Sequence, residues 1–411
     1  MTSVAVVGAG IIGLSTAANL QRMGLATTVF DALPPGNCTS YGNAGMVSVA
    51  AAMPMAMPGM LRNVPRWLRD PEGPLFINPR YLPAALPWLL RWVRAGAAGQ
   101  VKRSSQGLWQ LHRHALDEYR RLLGAAHFSS LIQTIGQIHV WDSPTPSASE
   151  RIGAAIREEL GIPAEILSPA RLREMVPELT HDISRALYLP QNGNTINPLR
   201  LTETIAGIFA EAGGRIVHEK AARIVPEGSR YRLLTNRGDH CFDKLVVAAG
   251  AWSLELLGPL GLGFPLETER GYHVQIASAN IQVPYPVLHK GRGFGACAME
   301  TGLRIAGTVE IAGLHNPPEP RRAEALIKNA RRLLPRLEVG EYKMWMGYRP
   351  STPDTLPVLG ASARHPGVYI ACGHGHTGVT AGAVSGRLVA ELVAGVQPFI
   401  DPAPYRLERF S

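Results

Sequence analysis

Gly8, Gly10 and Gly13 stand in the spacing G-x-G-x-x-G, with Ala9, Ile11 and Ile12 between them. That spacing suits the binding of a pyrophosphate. The first glycine permits a tight turn, the second lets the backbone approach the anion, and the third lets a helix pack closely on a strand. An anion in such a turn rests on the positive end of the helix that follows. Asp31 lies 18 residues beyond Gly13. Its carboxylate can accept hydrogen bonds from two ribose hydroxyls, and it would repel a 2′-phosphate. The pattern points to a dinucleotide other than NADP. The bland alternative is a glycine-rich turn with no ligand.

The elements around these residues decide between the two readings. Residues 3–8 read as a short buried strand, 11–23 as a helix and 26–31 as a second strand, which is the βαβ context that the motif requires. Three further segments favour FAD over NAD. Residues 246–253 (VVAAGAWS) form a second glycine-bearing strand end, holding Ala249 and Gly250. Residues 373–378 (GHGHTG) form a third, with Gly373, Gly375, His376, Thr377 and Gly378 ahead of a helix over 380–395. That helix would turn its N-terminus toward negative charge on a reduced flavin. Residues 39–45 (TSYGNAG) follow the second strand and carry Ser40, Asn43, Ala44 and Gly45, with Met46 next. Several close backbone approaches from distant segments suit a long, two-part cofactor. Ala222 joins this cofactor set from the run of short strands over 215–249.

Elsewhere the pattern predicts helices over 104–124, 150–160 and 319–334 and strands over 264–310 and 366–372. A helix over 197–213 is opened by Asn197 and Pro198 and closed by Gly213-Gly214. Residues 46–99 are apolar, rich in proline and resist assignment.

Taken together, the chain resembles the FAD-dependent D-amino-acid dehydrogenases of the D-amino-acid oxidase superfamily, in particular the branch with D-hydroxyproline dehydrogenases and glyphosate oxidoreductase. The resemblance covers nearly the whole chain. It is carried by residues 8–13 (GAGIIG), 40–46 (SYGNAGM), 268–274 (TERGYHV), 304–314 (RIAGTVEIAGL), 345–360 (WMGYRPSTPDTLPVLG) and 371–378 (ACGHGHTG), with 53–75 also typical of that branch. It implies an α/β fold: a discontinuous Rossmann-like FAD-binding domain plus an α+β substrate domain with a mainly antiparallel sheet. The expected division is 1–60, 195–258 and 344–397 for FAD, and 61–194 and 259–343 for the substrate.

By that likeness Arg349 binds the substrate carboxylate, and a planar guanidinium matches a carboxylate with two parallel hydrogen bonds. The alternative for Arg349 is a structural pair with Asp354. Tyr272 matches a tyrosine that holds the same carboxylate or closes the pocket, or it is a half-buried strand residue. His376 would lie near the flavin or the substrate amine. A core or turn role suits His273, His374 and His376 at least as well. The implied reaction is oxidative deamination of a small D-amino or imino acid, D-hydroxyproline-like, by hydride transfer to flavin N5. Electrons would go on to a quinone or to oxygen. Alternatives are a non-catalytic flavoprotein subunit of a larger complex, or an oxygen-using glycine/sarcosine-type amine oxidase.

Composition bounds the rest. The 411 residues suggest two or three domains at roughly 100–200 residues each, and 46% hydrophobic content excludes a disordered chain. Cys38, Cys241, Cys297 and Cys372 are far apart, so reduced cytosolic thiols are expected, with no zinc ribbon and no metal. No segment suits a signal peptide or a membrane span, and the expectation is a cytoplasmic protein. The net charge is +9, of which +7 falls between Arg62 and Arg121. That stretch holds Trp67, Trp88 and Trp92 beside Arg91 and Arg94. It either touches the inner face of a membrane or packs as a helical insertion. With 35 Arg, six Lys and no nucleic-acid motif, a nucleic-acid partner is not expected.

Overall fold

The computed structural model describes residues 1–60 and 64–410. Arg62, which opens the basic stretch, and part of the 53–75 likeness lie outside the described residues. Two large sheets organise the chain. The first has six strands in the order Arg215–His218, Ala26–Asp31, Ser3–Val7, Lys244–Val247, Val368–Cys372 and Val358–Ala361. All neighbours are parallel except the last pair. Ser3–Val7 lies inside this sheet with Val4, Ala5 and Val6 fully buried, which explains its unbroken apolar run. Helices Ile11–Arg22 and Gly378–Ala394 pack together on one face. A Cβ on Gly386 would lie 2.5 Å from the Ser15 Cβ, so the two helices approach on small residues.

The second sheet has nine strands and is mainly antiparallel. Its path runs Tyr342–Ser351, Glu267–Ile276, Gly302–Ile311, Phe294–Met299, Val287–His289, Gln137–Trp141, Arg185–Leu189 and Glu165–Leu167, with Leu75–Ile77 added beside Gly302–Ile311. Helix Pro320–Leu333 seals its core against Tyr272, Val274 and Ile305. Tyr342–Ser351 pairs with Glu267–Ile276 along its whole length, so the domain boundary expected at 344 falls inside a strand of this sheet.

Local chemistry explains where the elements depart from the sequence pattern. The helix expected over 104–124 is two helices, Ala98–His112 and Ala115–Leu131, and Gly124 interrupts the second at φ +77°. Over 46–99, helices Val64–Arg69 and Leu82–Ala95 emerge. Pro83 is tolerated in the first turn of the latter, but Pro87 sits inside it and hides it from pattern reading. Asn197 does cap its helix, accepting from Leu199 and Arg200 amides at 3.0 Å each. Among the described residues no helix is long and apolar enough to cross a membrane.

Candidate active site

A cavity of about 1900 Å³ opens between the two sheets and takes lining residues from both. One end is a cradle of backbone. Gly8 has φ +117°, and a Cβ there would stand 2.3 Å from the Ala248 carbonyl oxygen. A Cβ on Gly13 would stand 1.9 Å from the Gly8 oxygen. The turn is therefore closed against the neighbouring strand, and only glycine fits. Asp31 accepts from the Ala9 amide at 2.7 Å and the Leu33 amide at 2.9 Å. Each carboxylate oxygen keeps a free lone pair for a ribose hydroxyl. Ser40 accepts from the Ile11 amide at 3.0 Å, while the Gly10 and Ile12 amides find no acceptor among the described residues. Open amides at a helix start suit a pyrophosphate.

Asn43, Ala44, Met46, Ala222, Ala249 and Gly250 continue the lining, and Gly375, His376, Thr377 and Gly378 close it at the start of the C-terminal helix. The loop over 40–46 is held from behind. Arg304, almost fully buried, donates to the carbonyls of Tyr41 at 2.8 Å and Asn43 at 2.7 Å, and burial pushes its guanidinium down to about 10. Trp345 lies over Gly42, where a Cβ would meet its ring at 1.6 Å, and stacks on His273. His273 contacts the Gly42 carbonyl through Nδ1 at 3.1 Å, and burial and Arg304 push it down to about 3.

The other end of the cavity is a wall of side chains. Arg349 donates to the Thr308 carbonyl at 2.9 Å and makes no other side-chain hydrogen bond among the described residues. Its guanidinium lies over Gly271, where a Cβ would be 2.1 Å from Nη2. Burial lowers its pKa and the nearby Glu269 opposes that shift. Glu269 faces Arg349 across the strand pair and bonds to His376 Nε2 at 2.7 Å. Burial alone would raise Glu269, but His376 and Arg349 outweigh it and hold the carboxyl below its usual range. An arginine fork, a buried carboxylate and a histidine thus meet at one place in the wall.

The expected residues divide as follows. Arg349 and His376 come together, and Asp354 is not the partner of Arg349, since it pairs with Arg409 at 2.9 Å. Tyr272 reaches the wall, but its hydroxyl donates to Glu310 and accepts from the Glu319 amide at 2.8 Å. Its one proton is therefore committed, and it cannot also donate to a substrate carboxylate. Gly13, Gly45 and Gly373 do not line the cavity. Gly13 serves helix packing, while Gly45 at φ +78° and Gly373 at φ +89° turn the chain behind the lining. Glu269 was missed, although it stands inside the 268–274 segment; a carboxylate two residues before a glycine in an alternating strand was the available signal. Arg304 was missed as the clamp on the 40–46 loop. All four cysteines are unpaired.

Comparison with known proteins agrees with this geometry. The DAO family, described as FAD dependent oxidoreductase, matches residues 3–392. A D-amino-acid oxidase of Bradyrhizobium diazoefficiens is 35% identical over 99% of this chain and 98% of its own length. A D-amino acid dehydrogenase of Dechloromonas aromatica is 30% identical over 96% of this chain and 97% of its own length. Among solved structures, iminodiacetate oxidase from Chelativorans sp. BNC1 has the same fold at a TM-score of 0.74 and 19% identity, covering 98% of each chain. L-proline dehydrogenase from P. horikoshii likewise reaches 0.74 at 18% identity, covering 99% of this chain and 98% of that one.

Proposed function

The chain belongs to the DAO family of FAD-dependent oxidoreductases, and from that premise we propose that it oxidises the C–N bond of a small D-amino or imino acid. The observation that carries this reading is the Arg349–Glu269–His376 cluster at the end of the cavity remote from the dinucleotide turn. The glycine-closed turn, the open amides of Gly10 and Ile12 and the Asp31 carboxylate fit FAD. When bound, FAD supplies the two-electron acceptor.

Arg349 keeps most of its fork free for a substrate carboxylate, because its one side-chain hydrogen bond among the described residues goes to the Thr308 carbonyl. The clamp fixes the α-carbon, and such fixing replaces a costly loss of freedom in the transition state. The amine must be neutral as hydride leaves the α-carbon. His376 Nε2 is already engaged by Glu269, which fixes the ring beside Arg349 where the amine proton departs. The imine product then takes up water to give a 2-oxo acid and ammonia, or remains cyclic when the substrate is a proline.

The domain division follows the two sheets, with the cofactor part drawn from three separated segments and its last boundary moved beyond Ser351. For the acceptor we favour a membrane quinone over oxygen, with peripheral membrane contact through helix Leu82–Ala95. That helix exposes Leu82, Leu86, Leu90 and Val93 on one side, next to exposed Arg91 and Arg94. Apolar residues flanked by cations suit an anionic bilayer surface.

The test is anaerobic mixing of the flavin-loaded protein with D- and L-amino acids, glycine derivatives and D-hydroxyproline, followed by oxygen or a dye. Bleaching of the flavin band by one stereochemical class is expected. A flavin that no amino or imino acid reduces would overturn the reading.

A further inference from the structure

The wall of the cavity away from Arg349 carries cations that lack counter-charges. Lys290 follows strand Val287–His289, and Arg157 lies on helix Ala148–Glu159. Both line the cavity, and neither side chain makes a hydrogen bond or ion pair among the described residues. The carboxylates nearby are already taken. Glu150 accepts from Arg185 at 2.9 Å and from the Ser147 amide at 2.8 Å. Asp142 pairs with His289 at 2.8 Å and Arg292 at 3.1 Å. Arg185 and Arg292 are thus paired with these two carboxylates, while Lys290 and Arg157 have no ion-pair partner among the described residues. Trp141, on the same wall, has an enclosed indole N–H with no acceptor. Burial and the Arg157 charge push Lys290 below its ordinary pKa, and Glu150 opposes them. His139 lines the same patch, and burial, Lys290 and Arg157 keep it neutral.

We propose that Lys290 and Arg157 form an anion subsite within the catalytic cavity, which takes a carboxylate or phosphate-type group. Strand Val287–His289 is four strands from the strand of Arg349. At about 4.8 Å per strand this is roughly 19 Å across the sheet. The α-carboxylate on Arg349 and the anion at Lys290 are thus separate groups. An aspartate or glutamate side chain is too short to join them. The subsite takes the distal acidic group of an extended amino acid, or a free anion of the same chemistry. This rests on the reading of Arg349 as the carboxylate clamp only for where the substrate begins.

The experiment titrates inorganic phosphate into the flavin-loaded full-length protein at constant ionic strength, read by calorimetry and by the thermal midpoint. Saturable binding is expected, weakened at least tenfold in both Lys290→Met and Arg157→Met and unaltered in Lys343→Met, an exposed cation outside the cavity. Phosphate affinity is read without turnover, so its outcome stands even if no amino acid is oxidised. Steady-state rates with extended amino acids ending in a carboxylate or its amide then identify the source. An acid-over-amide preference in kcat/KM that disappears in the double variant assigns the subsite to the substrate's own arm. No preference, with saturable phosphate binding that needs Lys290 and Arg157, assigns it to a free anion. Phosphate that fails to saturate, or that binds all variants equally, overturns the subsite.

Discussion

The cradle and the wall face each other across one cavity and are built on opposite principles. The cradle is made of backbone. Its selectivity lies in what is missing, since a Cβ at Gly8 or Gly13 would strike a carbonyl oxygen within 2.3 Å. The wall is made of side chains brought from separate strands and a loop: Glu269, Arg349 and His376. A backbone site fails outright when any atom is added. A side-chain site loses affinity by degrees and can be retuned. Changes in the cradle should therefore act on cofactor retention, and changes in the wall on turnover with the cofactor in place.

The largest effect belongs to the cradle. Gly13→Ala places a methyl group where the Gly8 oxygen stands at 1.9 Å, so the helix must move off the strand. The variant should purify without flavin, measured as visible absorbance per mole of protein. If Gly13→Ala retains stoichiometric FAD, the close approach is not what makes the cradle, and the contrast with the wall collapses.

Next comes the wall's guanidinium. Arg349→Met should keep full flavin and lose about 2–5 kcal/mol in kcat/KM for carboxylated substrates, roughly 30-fold to several thousand-fold. Arg349→Lys should recover only part, because an ammonium cannot make the two parallel bonds of a guanidinium. Loss of flavin from Arg349→Met would show that cradle and wall are one structural unit.

This contrast also explains what the sequence made legible. The cradle was readable because its determinants are local: Gly8 to Asp31 span one βαβ unit, and strand Ala26–Asp31 falls where its pattern places it. Arg349 was readable through family likeness, since nothing in its neighbours in the chain says that it will face Glu269. Glu269 went unread because an acidic residue in a strand usually faces solvent, and only the pairing with Tyr342–Ser351 buries it. The partner of Tyr272 went unread for a related reason. That partner, Glu310, comes from strand Gly302–Ile311, and register between distant strands is not written in either strand alone. Helix Leu82–Ala95 was obscured by Pro87, where tertiary packing of Ala85 and Trp88 overrides a residue that ordinarily breaks helices.

Acid should separate the two regions again. His374, bonded to Ser385 at 2.9 Å under the C-terminal helix, is pushed down to about 3 by burial and by His112, and burial pushes His112 itself down to about 4. Below about pH 6.5 the unfolded chain takes up protons at both positions that the folded chain refuses. Stability should fall as pH drops from 6.5 toward 4, by up to about 1.4 kcal/mol per pH unit for each histidine. Glu269 acts later. Its folded pKa lies below the unfolded value, so its contribution is intact above about pH 4.5 and is lost only as pH falls through the folded value. Urea midpoints against pH should slope between 6.5 and 4.5, and His374→Gln should remove only one histidine's share of that slope, because burial lowers His273 and His139 as well. A flat profile in this range would mean that the two histidines titrate alike in folded and unfolded chains.

The smallest effect on turnover is expected from Tyr272→Phe, and it is the sharpest test of where the wall ends. Its hydroxyl bridges Glu310 and the Glu319 amide, joining the sheet to the start of helix Pro320–Leu333. Burial, with Glu310 as a further cause, pushes the phenol well above its ordinary pKa, so it stays protonated and keeps donating. Removing it leaves Glu310 short of a donor and should cost about 1–3 kcal/mol of stability, seen in the urea midpoint. Flavin content should not change, and KM for the substrate should move less than twofold. A substrate contact predicts the reverse, a tenfold or larger rise in KM with little loss of stability. That result would place Tyr272 on the substrate side of the wall and require its hydroxyl to leave Glu310 when a carboxylate arrives.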